Sequence, residues 1–281
     1  MTLQDAMLAV LRHAGRRPST QKAYCREVRR FLAWLGHDRP LRALRSDVVR
    51  YLDEVGGRTV YGRRMAHAGL RFFFVHAVNQ PGMMAGIPWP RHGRSLRKAP
   101  PWSDVEKLLR AIADPVCRAA ACVIASAGLR VSEVCALHVE DVQTQRDRRG
   151  RALDHGVLLV RHGKGDKERL APLTPALVRA LRRYYRRIRP QDHLFPGAGP
   201  SQRLTPRRLR KQLREAGQRC GVTHHRPHEL RHAFATTMLE RGVDLATLQA
   251  AMGHQRLSST SVYLHIRRDK LAAMPDLLAQ R

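Results

Sequence analysis

The sequence is short of acidic residues. Its 281 residues include 52 Lys and Arg but only 23 Asp and Glu, which leaves a formal net charge of +29 at pH 7. A chain with so large an excess of one sign repels itself, and such proteins usually meet a polyanion. The composition therefore favours nucleic acid as the partner and, more weakly, an anionic membrane surface.

Long apolar runs and paired cysteines are also missing. No stretch approaches the roughly 18 apolar residues of a membrane span, and the polar N-terminus argues against a signal peptide. The five cysteines are odd in number and scattered, without a CxxC pair, which disfavours a disulfide framework or a zinc ribbon. We therefore expect reduced, mostly buried thiols in a cytoplasmic protein with no membrane partner.

The chain contains enough apolar residues for a core, and it divides into two segments. Hydrophobic residues make up 43% of the sequence, so disorder is a poor interpretation. A basic, proline-containing stretch at 91–101 predicts a linker between a domain at 1–90 and a domain at 102–281. Both domains carry an excess of basic residues, as expected if both contact the same polyanion.

Hydrophobic periodicity predicts helices in both segments, and one change of period predicts strands. In the first segment it predicts Phe72, Phe73 and Phe74 as core residues. In the second, a capping-box pattern from Ser103 to Glu106 opens a predicted helix that continues to Ala127. An apolar run at 157–160, a Gly-rich charged turn and a run from Leu170 predict a β-hairpin. The other predicted helices cover 18–36, 46–56, 58–78, 175–188, 205–218 and 228–242.

Two short stretches place basic side chains at predicted breaks. Arg130 follows Gly128, and Glu133 lies one helical turn later, where a carboxylate can hold the guanidinium in one orientation. Lys164 lies between glycines at the predicted hairpin tip and can act as a point charge or proton donor. Taken alone, each stretch is also typical of an ordinary solvated surface. The hairpin lacks the GxxxxGK[ST] spacing of a nucleotide-phosphate loop.

Residues 228–232 read HELRH and match the HExxH signature of zinc proteases. Two histidines four residues apart on a helix can share one metal ion. Arg231 would place a cation inside such a site, and no acidic third ligand stands at an obvious position. The alternative interpretation takes His228 and Arg231, three residues apart on one helical face, as a pair that converges on an anion.

The last stretch contains His254, directly after Gly253, and Tyr263 in polar surroundings. A lone tyrosine is more often a core residue than a nucleophile. Together, however, the four stretches contain the groups of a metal-free phosphodiester site. Fixed guanidinium groups match two phosphate oxygens and the charge of a pentavalent phosphorane. Tyrosine is a usable nucleophile once its proton is removed, and the leaving alkoxide needs an acid.

This set of motifs resembles the tyrosine recombinases, which include phage integrases, chromosome-dimer resolvases and transposon recombinases. The resemblance covers nearly the whole chain and is most specific from residue 100 to 267. No catalytic position departs from the family pattern. The resemblance implies as site residues Arg130, Lys164, His228, Arg231, His254 and Tyr263, with Glu133 in a supporting role.

The family resemblance implies the chemistry. Tyr263 attacks the scissile phosphate and forms a 3′-phosphotyrosyl link, while Lys164 protonates the leaving 5′-oxygen. Arg130 and Arg231 clamp the nonbridging oxygens with the help of His254, and His228 manages the tyrosine proton. The covalent intermediate keeps the bond energy, so no cofactor, metal or ATP is implied. The HExxH match is then a coincidence.

The resemblance also implies the architecture and partners. The expected fold is mainly α with a small antiparallel β-sheet, in which a helical, SAM-like core-binding domain (1–90) and a catalytic domain (102–281) form a C-shaped clamp on double-stranded DNA. The resemblance implies a homotetramer, or a heterotetramer with a related recombinase, bound to two DNA sites. It also implies a location at the bacterial nucleoid. Integration, excision and dimer resolution stay open, as do a type IB topoisomerase and a DNA-binding protein that has lost catalysis.

Overall fold

The computed structural model describes most of the chain. The described ranges are 3–36, 43–55, 57, 59–91, 99–146, 152–161, 168–199, 201–253 and 274–278. The chain forms two compact units that divide between Leu96 and Arg97, inside the predicted linker. In the described part, mainly α-helical structure with one small antiparallel sheet confirms the predicted fold class.

The first unit is a small helical domain around an aromatic core. Apolar residues of the second helix, Val28, Phe31 and Leu32, lie on one buried face. Phe73 and Phe74 are fully buried against them, which confirms the predicted role of the aromatic cluster. The chain passes through them as a π-helical turn at the end of the fourth helix. The helices are α1 (Leu3–His13), α2 (Pro18–Leu35), α3 (Arg45–Glu54) and α4 (Val60–Phe72).

The second unit surrounds one almost completely buried helix. That helix, α6, is apolar on nearly every side, as a helix at the centre of a domain must be, and it packs against α5, α8, α9 and α10. The helices of this unit are α5 (Trp102–Ala111), α6 (Pro115–Ala127), α7 (Val131–Val134), α8 (Pro175–Ile188), α9 (Pro206–Cys220), α10 (Pro227–Glu240) and α11 (Leu245–Met252).

The prediction of one continuous helix from Ser103 to Ala127 was wrong. The chain forms two helices, and α5 begins after Pro101 without a side-chain cap. The break comes at Asp114, whose carboxylate accepts hydrogen bonds from the amides of Val116 and Cys117 at 2.9 and 3.1 Å. An aspartate at the N-cap, followed by a proline at the first helical position, is a typical start of a helix.

The predicted hairpin is present, and a third strand extends it. Strands β2 (Ala152–Val160) and β3 (Arg169–Leu173) pair antiparallel, with Leu158 opposite Ala171. The additional strand, β1 (Val142–Arg146), pairs antiparallel with β2, so the strand order is β1-β2-β3. Strand β1 was not predicted from the sequence. The hairpin tip, with Lys164, lies outside the described residues.

A short C-terminal segment, residues 274–278, packs on the second unit. Met274 and Leu277 are buried in an apolar cluster with Phe234 and Met238. The carboxylate of Asp276 accepts hydrogen bonds from the Thr174 hydroxyl at 3.0 Å and the Ala176 amide at 2.7 Å. Asp276 therefore provides hydrogen-bond acceptors at the N-terminus of α8, where a negative charge is favourable.

The sequence predicts free thiols and no membrane span, and the structure bears on both expectations. All five cysteines are free thiols, but only two of them are buried and three are half-buried, so the thiols are less buried than the sequence predicted. Among the described helices, none combines the length and the apolar content that a membrane crossing requires.

Asp114 offers a test of the way α6 begins. Burial alone would raise the pKa of its carboxyl, but the Cys117 amide and the Arg208 guanidinium, 2.6 Å away, hold that pKa below its ordinary value. We expect Asp114→Ala to lower the free energy of unfolding by about 1–3 kcal/mol, because both the cap and the ion pair are lost. Urea denaturation monitored by circular dichroism measures this.

Asp114→Asn is the matched variant. The side-chain amide oxygen still caps α6, but the charge opposite Arg208 is gone, so we expect a smaller loss than for alanine. Equal losses for the two substitutions would show that the cap contributes nothing.

Candidate functional site: an arginine cluster at the end of α11

The site is built around one buried carboxylate. Glu133, at the third position of α7, has a side chain only 2% exposed. Its Oε2 accepts from the backbone amide of Arg130 at 2.7 Å, and its Oε1 accepts from the Arg130 guanidinium at 2.7 Å. The predicted pairing of Arg130 with Glu133 is therefore present, and the same carboxylate also caps the short helix.

A second arginine, Arg169, binds the same carboxylate. Arg169 is the first residue of β3, and its guanidinium donates to Oε1 and Oε2 of Glu133 at 3.1 and 2.6 Å. Burial would raise the pKa of Glu133, but Arg169 and Arg130 outweigh it and hold that pKa below its ordinary value. No role for Arg169 was predicted from the sequence. The one available signal was its place directly after the predicted lysine hairpin.

The third arginine, Arg231, is the most deeply buried of the three arginines, at 4% exposure. It lies one turn into α10 and donates to the carbonyl oxygens of Gly128 and Met252, the latter at 2.8 Å. Burial, followed by the charges of Arg130 and Arg169, lowers its pKa to about 10 against the opposing effect of Glu133. Arg231 therefore remains protonated at neutral pH.

The C-terminus of α11 accepts a hydrogen bond from each of the three arginines. Arg169 donates to the carbonyl of Ala251 at 3.0 Å, Arg231 to that of Met252, and Arg130 to that of Gly253 at 3.0 Å. The last carbonyls of a helix have no partner within the helix and carry its partial negative charge. Three guanidinium groups from separate elements supply the partners here.

Two glycines allow the elements to approach this closely. Gly128 ends α6 with a φ of 66°, and a Cβ there would come within 2.5 Å of the Phe234 ring. Gly253 ends α11 with a φ of 66°, and a Cβ there would come within 3.0 Å of the Arg169 side chain. A positive φ already favours glycine, so any other residue would strain the backbone and would also press against Phe234 at the first position or Arg169 at the second.

The described cluster has an excess of positive charge. Three guanidinium groups surround one carboxylate, which gives 3 − 1 = +2 within a partly buried region. Buried charge is costly unless it is paired. This excess of positive charge suits the cluster chemically to an anion, and paired guanidinium groups match the oxygens of a phosphate.

The structure places four of the predicted site residues. Arg130, Glu133 and Arg231 meet in the cluster. His228 is exposed in the first turn of α10, three residues before Arg231, a spacing that puts both on one side of the helix. The other predicted residues lie outside the described part of the chain and are Lys164, His254 and Tyr263.

Glu229 has a contact that bears on the HExxH match. Its carboxylate accepts from the backbone amide of Arg226 at 2.8 Å and so caps the start of α10. The zinc-protease interpretation needs this glutamate as the general base at a metal-bound water. A carboxylate used as a helix cap is poorly placed for that task.

Comparisons with known proteins decide the family. The family model described as phage integrase family matches residues 102–270, and the model of its N-terminal SAM-like domain matches residues 3–82. The chain belongs to the phage integrase family of tyrosine recombinases. It is 34% identical to tyrosine recombinase XerD of Pseudomonas aeruginosa, over 92% of this chain and 90% of the relative. It is 32% identical to tyrosine recombinase XerA of Thermococcus kodakarensis, over 92% and 88%.

Solved structures of the family share the fold of this recombinase. A lambda integrase dimer bound to a COC′ core site matches with a TM-score of 0.70 at 17% identity, over 90% of this chain and 94% of the other. The site-specific recombinase XerH bound to a palindromic difH substrate matches with a TM-score of 0.66 at 20% identity, over 89% and 77%. At these identities the likeness concerns the fold alone.

Glu133 offers a test of the cluster. We expect Glu133→Gln to lower the free energy of unfolding at pH 7 by about 3–5 kcal/mol, because it leaves buried guanidinium groups without their counter-charge. The pKa of Glu133 is lower in the folded state than in the unfolded state. The carboxylate therefore contributes its full stabilisation above the unfolded pKa of about 4.3, and this stabilisation is lost as the pH falls through the folded pKa. Urea denaturation from pH 7 to pH 3 should therefore show the two proteins converge in acid.

Asp154→Asn is the matched control, since Asp154 pairs with Arg182 where both side chains are about half exposed. This substitution should lower the free energy of unfolding by at most about 1 kcal/mol. A Glu133→Gln protein as stable as the parent at pH 7 would contradict a stabilising role for the buried carboxylate.

Proposed function

We propose that this chain is a site-specific DNA recombinase that cleaves and rejoins strands through a 3′-phosphotyrosyl link at Tyr263. The arginine cluster carries the proposal, because it is a fixed, positively charged site at the end of α11 in a protein whose net charge is +29. The family membership and the DNA-bound relatives of the same fold support DNA as the partner.

The guanidinium groups have donors left for a phosphate. Each guanidinium carries five N–H donors. Within the described part of the chain, the side chain of Arg130 uses two of them, on Glu133 and Gly253, and Arg231 uses two, on Gly128 and Met252. The bonds already made fix the orientation of both groups before DNA arrives, and such preorganised donors stabilise developing charge most strongly.

The proposed reaction is balanced without an external energy source. The Tyr263 oxygen forms a bond to phosphorus and gives its proton to His228, while the bond from phosphorus to the 5′-oxygen breaks and Lys164 protonates that oxygen. Arg130 and Arg231, assisted by His254, hold the nonbridging oxygens of the phosphorane. A 5′-hydroxyl of a second duplex then reverses these steps, so neither ATP nor a metal ion is consumed in the exchange.

The proposed assembly is a tetramer on two DNA duplexes, formed by four copies or shared with a related recombinase. A lambda integrase tetramer bound to a Holliday junction has the same fold, with a TM-score of 0.69 at 15% identity. In this chain, segment 274–278 packs on its own second unit through Asp276 and Leu277. Docking of that segment on a neighbouring protomer would exchange these contacts between copies.

Tyr263→Phe tests the nucleophile. The substitution removes one oxygen and keeps the ring, so DNA affinity should barely change while the covalent adduct vanishes. A suicide substrate, nicked near the scissile phosphate, traps the adduct on a denaturing gel. Tyr61→Phe is the control, because Tyr61 is 68% exposed on α4 of the first unit, and it should form the adduct normally. An adduct from Tyr263→Phe would move the nucleophile elsewhere, with Ser261 or Ser259 next to be tested.

Lys164→Ala tests the general acid. Because loss of a positioned acid typically costs 10²–10⁴-fold, we expect cleavage of ordinary DNA to slow by about 100-fold or more. A substrate with a 5′-bridging sulfur should restore the rate, since a thiolate leaves without a proton. If the variant is equally slow on both substrates, Lys164 binds phosphate instead, and Lys167 or a histidine becomes the candidate acid.

A further inference from the structure

Two histidines face each other across a short β-bridge away from the arginine cluster. His138, just after α7, pairs antiparallel with His193, in the loop between α8 and α9. The flanking bonds, from the Val139 amide to the Asp192 carbonyl at 3.0 Å and from the Leu194 amide to the Leu137 carbonyl at 2.9 Å, fix the pairing. Side chains of directly opposite residues lie on the same side of such a pair, and the two imidazole centroids are 4.7 Å apart.

The carboxylate of Asp192 lies close to both rings. Its Oδ1 is 2.9 Å from Nδ1 of His138, and its Oδ2 is 3.7 Å from Nε2 of His193. One donor atom from each of the three residues lies within 4.8 Å of the other two. A separation of 3.7 Å is too long for a hydrogen bond. It is close to the spacing of about 3.3 Å between two ligands of a tetrahedral ion bound at about 2.0–2.1 Å.

We propose that His138, Asp192 and His193 bind a divalent transition-metal ion of the Zn²⁺ kind, with a fourth position open to solvent. Two imidazoles and one carboxylate are ligands that Zn²⁺ accepts, whereas Ca²⁺ and Mg²⁺ prefer a larger set of oxygens. The Asp192 side chain is 67% exposed and that of His138 is 35% exposed, so an ion reaches the site from solvent.

Contacts around His138 hold its backbone in place before the ion binds. The backbone amide of His138 donates to Oδ2 of Asp141 at 2.8 Å, and Arg161 binds Oδ1 of the same carboxylate at 2.6 Å. Nδ1 of His193 is buried without a hydrogen-bond partner among the described residues, and Nε2 is the ring nitrogen that lies near the carboxylate. Ligands that need little movement lose little entropy on binding.

The site goes beyond the recombination activity. The described contacts of Arg130, Glu133, Arg169 and Arg231 include none of its three ligands. The ion would tie the segment after α7 to the loop between α8 and α9. A bound ion stabilises the folded state that binds it. This site therefore acts as a structural cross-link within the second unit and takes no part in cleavage.

Zinc titration of the full chain tests the proposal. After removal of metal with EDTA and buffer exchange, isothermal titration with Zn²⁺ should give a site of about micromolar affinity or tighter. His138→Gln and Asp192→Asn should each weaken that site at least about tenfold. His76→Gln, which changes an exposed histidine of the first unit, and His232→Gln, which changes the second histidine of the HExxH match, should leave it unchanged.

Thermal unfolding provides a second readout that does not depend on the stoichiometry of the titration. At a hundredfold excess of Zn²⁺ over its Kd, the midpoint of the parent should rise by about 5 °C, and that of Asp192→Asn should not. Asp192→Asn keeps the size of an exposed side chain, so it serves even if His138→Gln fails to fold. Unchanged zinc affinity in Asp192→Asn, or loss of the site in His232→Gln, would overturn the proposal, as would a parent that binds no zinc.

The suicide-substrate assay separates this inference from the recombinase proposal. The metal-free parent should form the covalent DNA adduct at the same rate in EDTA as with one equivalent of Zn²⁺. An adduct that requires zinc would contradict the purely structural role of the site. Absence of any adduct under both conditions would count against the proposed cleavage chemistry and leave the zinc titration to decide the metal site.

Discussion

The buried carboxylate of Glu133 is the contact on which the arrangement of the site depends. Among the described residues, it is the one carboxylate of the three-arginine cluster, and it binds both Arg130 and Arg169. Removal of an ion pair from water is costly and is repaid only by good geometry and further hydrogen bonds. Here both carboxylate oxygens are used, one of them also by a backbone amide. The same bonds that lower the cost of burial therefore orient the cationic side chains.

The end of α11 completes this arrangement. A helix leaves its last carbonyls without partners, and three arginines from α10, β3 and the residue before α7 supply them. The same hydrogen bonds thus satisfy the end of the helix and orient the guanidinium groups. Because the helix ends at Gly253, its C-terminus lies directly at the cluster.

The helices were largely predictable, and the failures have local causes. Periodicity located α2, α8, α9 and α10 within a few residues, because each buries one apolar face. The break between α5 and α6 was missed because apolar residues continue through it, although Asp114 before a proline is a recognisable cap. Strand β1 was missed because its residues, VQTQR, have little apolar content. Pairing with β2 is what makes that segment a strand.

The sequence by itself determined the excess of positive charge, the family motifs, and the local pair of Arg130 with Glu133, since these depend on composition or on residues within one turn. Only the tertiary structure decided that Arg169 shares the carboxylate, 36 positions away along the chain, and that it also binds Ala251, 82 positions away. It likewise brought His138 opposite His193. No periodicity or spacing encodes such contacts, because they arise when separate elements pack against one core.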